Sequence, residues 1–244
     1  MQRGQLHPIT VATREIAEIF GRMGFAIEYG PELEDEWYNF TALNVPADHP
    51  ARDMQDTFWT KEEKPRTPRT HTTSVSIRCL EKMAKEGLTS YRAISPAKVF
   101  RNEATDMTHE AQFYQLDGFA VGPVGEVTLA HLKGMFDQFY REYFGPEAKV
   151  RFRPSFFPFT EPSVEVDMWF EAPGKEGRWL EMCGAGMLHP NVIKNAGLDP
   201  EKVAGYAFGG GLERLIMVKY GVPDVRLFHG GDIRFTHAFD ETVQ

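Results

Sequence analysis

The sequence predicts an α+β fold in one domain that covers all 244 residues. Two observations support this prediction. The chain opens with a segment that has the apolar periodicity of a helix, and most later segments have the short apolar or alternating pattern of strands, with turn residues between them. Further helices are interspersed among these strands, so we expect a mostly antiparallel sheet with helices packed against it.

The N-terminal quarter is predicted to contain one helix, one short strand and a long connection. Residues 9–24 place apolar side chains at intervals of three and four and end at a glycine, the pattern of an amphipathic helix. The strand that follows ends at Gly30 and Pro31. Residues 34–57 mix polar and aromatic residues with prolines and predict a long irregular connection. Residues 61–68 then predict a charged, exposed turn.

Two further helices flank a predicted hairpin. Residues 72–86 form the first of them, with Gly87 just past its end. Residues 128–145 form the second, and we interpret its apolar and aromatic stripe as core packing rather than a cofactor site. Between these helices, residues 98–102 and 112–121 predict two strands joined by a polar loop that contains neither Gly nor Pro.

The last hundred residues are predicted to be mostly strands. Residues 150–159, 164–170 and 178–187 have strand patterns, and the turn "PGKEG" between the last two predicts that they pair. A short helix near 190–196 leads into residues 205–221. That segment predicts a strand, a glycine turn and a helix in immediate succession.

The polar loop of the hairpin carries side chains that turn geometry does not require. Arg101 offers a planar, permanently charged donor group, which suits a phosphate or a carboxylate. Glu103 projects from the same face if the strand continues, His109 adds an imidazole, and Phe113 adds a flat aromatic surface. Together these groups suit a nucleoside triphosphate. The alternative is a surface ion pair beside a core phenylalanine.

A glycine-rich segment near the C-terminus is a second candidate site. The stretch "AFGGGLERL" begins at residue 207, and its consecutive glycines allow close backbone packing or a positive φ before a helix begins. Arg214 is predicted in the first turn of that helix, where an anion can be held. The stretch is neither a Walker loop nor a GxGxxG fingerprint. The alternative is a tight corner between a strand and a helix.

Irregular segments supply a third group of candidates, because binding residues concentrate in loops. From the middle of the chain this group includes Trp59, His71 and Thr73. Phe157 and Phe159, separated by one proline, would face the same side of an extended segment and line an apolar pocket. Glu161 follows as a candidate metal ligand. The alternative is two core phenylalanines and a solvated glutamate.

Composition restricts the function without naming it. The 27 basic and 35 acidic residues give a net charge of −8, which argues against a dedicated nucleic-acid-binding domain but not against an enzyme that contacts nucleic acid over a small patch. No apolar run approaches the roughly 20 residues that span a bilayer, and the N-terminus lacks the pattern of a signal peptide. Two cysteines are too few for a disulfide framework or a zinc site, which favours a cytoplasmic protein.

The candidate segments together resemble the signature motifs of class II aminoacyl-tRNA synthetases. The first helix and strand are similar to motif 1, "FRNE" with "THEAQFYQLDG" to motif 2, and "AFGGGLERL" to motif 3. The stretches "DMQDTFW", "RTHT" and "RPSFFPFTEPSVEVD" are similar, in the same order, to the catalytic region of the phenylalanyl-tRNA synthetase α subunit. The resemblance runs from about residue 6 to 239. It implies the class II fold, an antiparallel β-sheet flanked by helices.

The resemblance also implies a ligase reaction. In this family ATP and Mg²⁺ serve to activate L-phenylalanine, which is then transferred to tRNA(Phe). The carboxylate of phenylalanine would attack the α-phosphorus of ATP, and the adenylate would pass its acyl group to the terminal ribose of the tRNA. No side-chain nucleophile is needed, because fixed cations and Mg²⁺ stabilise the charge on the phosphates.

By resemblance, the ATP-binding and catalytic residues lie in motifs 2 and 3. Arg101 would hold the α-phosphate, Arg214 the γ-phosphate, and Glu103 would orient both substrates. These three are the predicted catalytic residues. Phe113 would stack on adenine opposite Arg214, and His109 would approach the distal phosphates.

The amino-acid pocket is implied in the same way. The matching positions are Trp59, His71, Thr73, Gln115, Asp117, Phe157, Phe159 and Ala207. The two phenylalanines would meet the ring of the substrate edge-on, an arrangement that aromatic quadrupoles favour. The small side chain of Ala207 would form the floor of the ring pocket. Glu161 matches a magnesium ligand of the family.

The sequence departs from the family pattern in several ways. Thr73 stands where Ser is usual, Asp117 where Glu is usual, and Gly210 where Met or Leu is usual. We also expect the chain to lack the N-terminal coiled coil of the α subunit and the anticodon-binding domain of the single-chain form. By resemblance its partner is a β subunit in an (αβ)₂ heterotetramer; without that subunit we expect a homodimer through motif 1.

Two other functions stay open at the level of sequence. One is a binding or regulatory protein that keeps the synthetase fold without catalysis, which the presence of all three predicted catalytic residues disfavours. The other is a class II enzyme that activates a different amino acid. Phe157, Phe159 and Ala207 favour phenylalanine, whereas Asp117 and Thr73 leave tyrosine-like or relaxed selection open.

Overall fold

A seven-stranded β-sheet lies at the centre of the computed structural model, which describes residues 5–45, 57–171 and 176–239. The strands, in chain order, are β1 (Ala26–Ile27), β2 (Leu33–Asp35), β3 (Arg66–Pro68), β4 (Tyr91–Phe100), β5 (Gln112–Pro123), β6 (Val150–Phe157), β7 (Thr160–Phe170), β8 (Arg178–Leu188) and β9 (Val203–Gly211). The order in the large sheet is β1-β4-β5-β9-β8-β7-β6, and β2 pairs with β3 separately. The β1–β4 pair is parallel and the other pairs are antiparallel, so the predicted α+β class is confirmed.

The predicted helices begin and end close to their predicted positions, whereas the short helices at residues 36–39 and 233–237 are not predicted by the sequence. The described residues form seven helices in all. They are α1 (Pro8–Arg22), α2 (Glu36–Asn39), α3 (Thr73–Glu86), α4 (Leu129–Phe144), α5 (Pro190–Asn195), α6 (Leu212–Tyr220) and α7 (Ile233–His237), with 3₁₀ turns at Thr41–Leu43 and Val225–Phe228. At the start of α1 the side chain of His7 accepts a hydrogen bond from the backbone N–H of Ile9, and Pro8 occupies a position where no helical donor is lost. None of the described helices has the length and apolar character needed to cross a bilayer.

Helices cover both faces of the sheet and create two cores. The first core contains buried side chains of α1, α4 and α6, and the second those of α3 and α5. Strand residues alternate between the cores, since successive side chains point to opposite faces. On β5, Leu116 lies in the first core and Phe119 in the second; on β9, Phe208 lies in the first and Ala207 in the second. The aromatic stripe of α4 lies in the first core, as its interpretation as core packing requires.

The long connection after β1 is more ordered than the sequence predicts. The range 34–57 contains most of β2, all of α2 and one 3₁₀ turn, while residues 46–56 lie outside the described residues. Residues 66–68, predicted as part of an exposed turn, form β3. The buried guanidinium of Arg69 donates hydrogen bonds to the carbonyl oxygens of Lys98 at 2.8 Å and Gly30 at 2.9 Å. These bonds join segments distant in sequence, so no local pattern predicts them.

The first strand of the hairpin is displaced from its predicted position. β4 begins at Tyr91 and ends at Phe100, whereas residues 98–102 are predicted. Arg101 therefore lies just past the strand, although its backbone N–H still donates to the carbonyl of Ala111 at 2.9 Å. Pro96 makes the early part of β4 hard to predict, because proline is excluded from central strands. Here it lies beyond the end of β1, which pairs with β4 only at residues 93 and 94.

A buried ion pair holds the small β2–β3 sheet on α3. The carboxylate of Glu34 has no exposed surface and accepts hydrogen bonds from Arg78 at 3.1 and 2.5 Å. The Arg78→Ala variant should lose about 3 kcal/mol of unfolding free energy, because a buried carboxylate is left without its partner. Urea denaturation measures this loss. Arg22→Ala is the control, since its pair with Glu142 is exposed and worth less than about 1 kcal/mol; equal losses in both variants would contradict the prediction.

Candidate active site

A cleft of about 150 Å³ opens between the β4–β5 hairpin and the start of α6. Its lining residues are Arg101, Glu103, Thr108, His109, Glu110, Phe113, Gly211, Glu213, Arg214, Met217 and Val225. All five residues predicted to bind ATP are among them. The structure thus brings these five together in one place, while their individual roles stay predictions.

Arg101 presents a charged group of fixed position beside an aromatic surface. Its Nε donates a hydrogen bond to the carbonyl oxygen of Thr70 at 3.2 Å, and its Cζ lies 5.1 Å from the centre of the Phe113 ring. Burial lowers the pKa of the guanidinium, and the carboxylates of Glu103 and Asp117 oppose this effect. The group stays charged at neutral pH, because the ordinary pKa of arginine is far higher. Such a cation can stabilise charge on a phosphate.

The loop between the two hairpin strands folds around Asp106. The carboxylate of Asp106 accepts hydrogen bonds from the backbone N–H groups of Thr108 at 2.6 Å and His109 at 2.8 Å, and it lies 3.0 Å from Nδ1 of His109. These bonds, first that from the Thr108 backbone, hold the pKa of Asp106 well below its usual range. The strand does not continue to Glu103, yet the loop brings its carboxylate within 3.9 Å of the Arg101 guanidinium.

The glycine segment serves close packing rather than an unusual turn. β9 ends at Gly211 and α6 begins at the next residue, so Arg214 lies in the first turn of the helix, as expected. Gly209 pairs with Asp117 across the β5–β9 ladder, and a Cβ atom at this glycine would overlap the carboxylate of Asp117. A Cβ atom on Gly210 would lie 2.7 Å from the carbonyl oxygen of Met182. Neither glycine has a positive φ.

A buried polar group forms the first part of the predicted amino-acid pocket. Asp117 is 1% exposed, and its Oδ2 accepts a hydrogen bond of 2.6 Å from the hydroxyl of Thr73 on α3. Burial raises the pKa of Asp117 to about 6, against the opposing effects of the Thr73 bond and the charge of Arg101. Phe113, Gln115 and Asp117 alternate along β5 and therefore share one face of the sheet.

His71 and Trp59 differ in burial and in their contacts with the described residues. His71 is buried, and its Nε2 lies 2.9 Å from the carbonyl oxygen of Asn39, to which it donates in the corresponding tautomer. Burial and then the charge of Arg101 lower the pKa of His71 to about 4, so the ring is neutral at pH 7. Trp59 is half-exposed and packs 6.1 Å from the ring of Phe40. Within the described ranges, no ring contact or hydrogen bond joins Trp59 to the other seven predicted pocket residues.

The two phenylalanines of "FFPF" stack on each other at a hairpin turn. Their rings are 5.8 Å apart at an angle of 8°. The prediction of an extended segment is wrong for its second half. The strand β6 ends at Phe157, and Phe159 lies in the turn before β7. Phe159 packs against the second core, to which Ala207 belongs. A Cβ atom on Gly184 would lie 2.6 Å from the Phe157 ring, so the ring rests on bare backbone.

Glu161 does not form a metal site with its described neighbours. Its side chain is 74% exposed, and Nε2 of His189 lies 3.4 Å from its carboxylate. Magnesium is usually held by one or two carboxylates together with water and substrate phosphates. In the part of the chain that the structure describes, no group of three or more His, Cys, Asp or Glu side chains is arranged around a common point. The described residues therefore do not supply a magnesium site on their own.

Sequence reasoning missed Glu213, the residue directly before Arg214. Glu213 is 3% exposed, lines the cleft, and accepts a hydrogen bond of 2.7 Å from the backbone N–H of Tyr114. An acidic residue in the first turn of a helix is common, because it complements the helix dipole. Nothing in the local sequence distinguishes a buried residue of this kind from an exposed one.

Comparison with known proteins identifies the family. Residues 1–239 match the family model described as "tRNA synthetases class II core domain (F)". The phenylalanine–tRNA ligase alpha subunit of Syntrophomonas wolfei is 49% identical over 245 residues, which cover 98% of this chain and 70% of that protein. Those of Lysinibacillus sphaericus and Delftia acidovorans are 48% and 46% identical, over 98% and 97% of this chain and 69% and 71% of theirs. The chain therefore belongs to the class II tRNA synthetases and, among them, to the family of phenylalanine–tRNA ligase alpha subunits.

Proposed function

We propose that this chain activates L-phenylalanine with ATP and transfers the phenylalanyl group to tRNA(Phe). The observation that carries the proposal is the layout of β5, which places Phe113 near one end of a face and Asp117 four residues further along it. At a strand rise of about 3.3 Å per residue, these two side chains start about 13 Å apart. Arg101 lies beside the ring of Phe113, and its charge also acts on the carboxylate of Asp117.

This layout suits ATP and phenylalanine bound one after the other along β5. The adenine ring of ATP would lie between Phe113 and Arg214, and the ammonium group of phenylalanine would pair with the carboxylate of Asp117. Arg101 would then face the α-phosphate and the attacking carboxylate, stabilising the charge that develops there. Asp117 would be ionised when the ammonium binds, since an adjacent cation favours the charged form.

Magnesium ions bound with ATP would neutralise part of the phosphate charge. We keep Glu161 as a proposed magnesium ligand, because it matches a ligand position of the family. The remaining ligands would come from groups other than its described neighbours. The relatives are alpha subunits by name. We therefore propose a β subunit as partner, in an (αβ)₂ assembly, or a homodimer through α1 in its absence. We also propose that residues 1–244 form one catalytic domain and that the protein is cytoplasmic.

The test is phenylalanine-dependent exchange of labelled pyrophosphate into ATP, with tyrosine and leucine as controls. Exchange with phenylalanine and with neither control amino acid supports the activation step of the proposal. Exchange with tyrosine or leucine at a similar rate would favour a class II enzyme of different selectivity. If exchange is absent both from the folded chain alone and from the chain with a β subunit, catalysis is excluded and a binding role is favoured.

The bare backbone under Phe157 leads to a prediction about the substrate ring. Replacing Gly184 with alanine is expected to raise the KM for phenylalanine about tenfold, because the added methyl group displaces the Phe157 ring and overpacking costs about 1–3 kcal/mol. The KM for ATP should stay unchanged. Gly134→Ala is the matched control, since a Cβ atom there meets nothing within 4 Å. Unchanged phenylalanine kinetics in Gly184→Ala would show that Phe157 does not line the ring pocket.

A further inference from the structure

The pairing of β5 with β9 ends next to the ATP cleft. The last paired residues are Gln115 and Gly211, because β9 gives way to α6 at Leu212. The backbone N–H of Tyr114, one residue further along β5, therefore has no β9 carbonyl as a partner. Oε1 of Glu213 accepts this hydrogen bond at 2.7 Å. A side chain from the helix thus supplies the acceptor that a continuing strand would have supplied.

The carboxylate of Glu213 is an expensive group to bury at this point. Glu213 is 3% exposed, and its Oε2 has no hydrogen-bond partner in the described part of the chain. The imidazole Nε2 of His229 lies 3.5 Å from Oε1. Burying a carboxyl group with one oxygen atom left without a hydrogen bond is costly. The hydrogen bond to the Tyr114 N–H is thus made by a side chain that is costly to bury, and it links β5 directly to the first turn of α6.

The hydrogen bond joins the direct neighbours of two cleft residues. Tyr114 follows Phe113 on β5, and Glu213 precedes Arg214 on α6. We propose that Glu213 is a positioning residue for ATP, which sets the separation between the Phe113 ring and the Arg214 guanidinium without touching the nucleotide. This inference rests on the proposed function, in which the adenine ring binds between those two side chains.

Binding of ATP to the purified chain, measured by calorimetry, tests the role directly. Glu213→Ala should raise the Kd for ATP about tenfold, as expected for losing a hydrogen bond to a charged group. The Kd for phenylalanine should stay unchanged, because Asp117 and Thr73 are held by their own hydrogen bond. Glu213→Gln keeps an acceptor for the Tyr114 N–H and should restore ATP binding to within about threefold of the wild type.

The control and a second variant separate positioning from general stability. Glu34→Ala also removes a buried carboxylate, but one on β2 that does not line the cleft, and it should weaken folding without changing the Kd for ATP. If Glu213→Ala does not fold, Glu213→Asp decides, since it keeps the charge but shortens the reach and should weaken ATP binding about fivefold.

The outcomes distinguish this inference from the proposed function. A folded wild-type chain that binds no ATP would overturn both. A wild-type chain that binds ATP, with the same affinity in Glu213→Ala or in Glu213→Asp, would overturn the positioning role alone. Loss of ATP and phenylalanine binding together in Glu213→Ala would also overturn it, because that result indicates general damage to the site.

Discussion

Replacing Arg101 with alanine is expected to lower phenylalanine-dependent pyrophosphate exchange by about 10²–10³-fold, the usual effect of removing one fixed charge-stabilising donor from a reaction centre. The guanidinium is anchored through Nε to the carbonyl of Thr70, so it needs no reorganisation when charge develops on the α-phosphate. Arg101→Lys should be nearly as inactive. A lysine ammonium is a compact charge on a flexible chain and cannot reproduce the planar fork.

The matched control for Arg101 lies on β4, the strand that ends directly before Arg101. Arg92 on β4 is exposed and donates to the carbonyl of Met23 at 3.2 Å, far from the cleft lining. Arg92→Ala should leave the exchange rate unchanged. If the exchange rate of Arg101→Ala stays within about threefold of the wild-type rate, the loss is far smaller than that expected for removing such a donor. That result would exclude Arg101 from the reaction.

Replacing Asp117 with asparagine is expected to change binding and stability in opposite directions. The KM for phenylalanine should rise about 100-fold, because a charge-assisted pair with the ammonium group is lost in a buried site. The unliganded protein should become more stable at neutral pH by about 3 kcal/mol, since a pKa raised from 3.8 to about 6 represents about 2 units at 1.36 kcal/mol each. Asparagine keeps an oxygen that can accept the hydrogen bond from the Thr73 hydroxyl.

The sign of the pH dependence follows from that raised pKa. Between about pH 4 and pH 6 the folded state keeps the proton on Asp117 while the unfolded state has lost it. The contribution of Asp117 to stability is therefore fully present below pH 4 and is lost as the pH rises through 6. Urea denaturation at pH 4 and pH 7.5 should show similar stabilities for the wild type and Asp117→Asn at the lower pH, and a more stable variant at the higher pH.

A second buried aspartate provides the control of opposite sign. Hydrogen bonds from Arg153, and from Arg151, lower the pKa of Asp167. Asp167→Asn should therefore lower the free energy of unfolding at pH 7.5, and the difference from the wild type should be smaller at acidic pH. If Asp117→Asn behaves like Asp167→Asn, the carboxylate of Asp117 is not a destabilising group and its proposed role as an ammonium partner loses its basis.

Sequence patterns predict those parts of the molecule whose interactions are local or periodic. The helices α1, α3 and α4 follow from apolar spacing. The strand β9 and the helix α6 follow each other in the predicted order, although the glycines belong to the strand and form no turn. The grouping of the ATP-binding residues in one cleft follows from their family motifs and not from the spacing alone. Each motif by itself fits a corner or a surface ion pair equally well.

The features that sequence analysis misses depend on contacts between distant segments. Buried Arg69 donates hydrogen bonds to carbonyl groups of the β1–β2 connection and of β4. Buried Glu213 accepts a hydrogen bond from a backbone N–H of β5. Pro96 is tolerated in β4 because β1 is so short. In each case the partner is set by the tertiary fold, so periodicity and turn chemistry in the neighbourhood of the residue carry no information about it.

The alternation of side chains along β5 sets the spacing between the residues proposed to bind ATP and phenylalanine. Phe113, Gln115 and Asp117 face one side only because the strand keeps its period of two from end to end. Inserting or deleting a single residue within it would turn all the later side chains to the opposite face. The enzyme should therefore tolerate length changes in the exposed segment 61–64, whereas a one-residue insertion or deletion between Phe113 and Asp117 should turn these two side chains to opposite faces and abolish activation. Natural variants of the family should accordingly differ in length at loops and never within this strand.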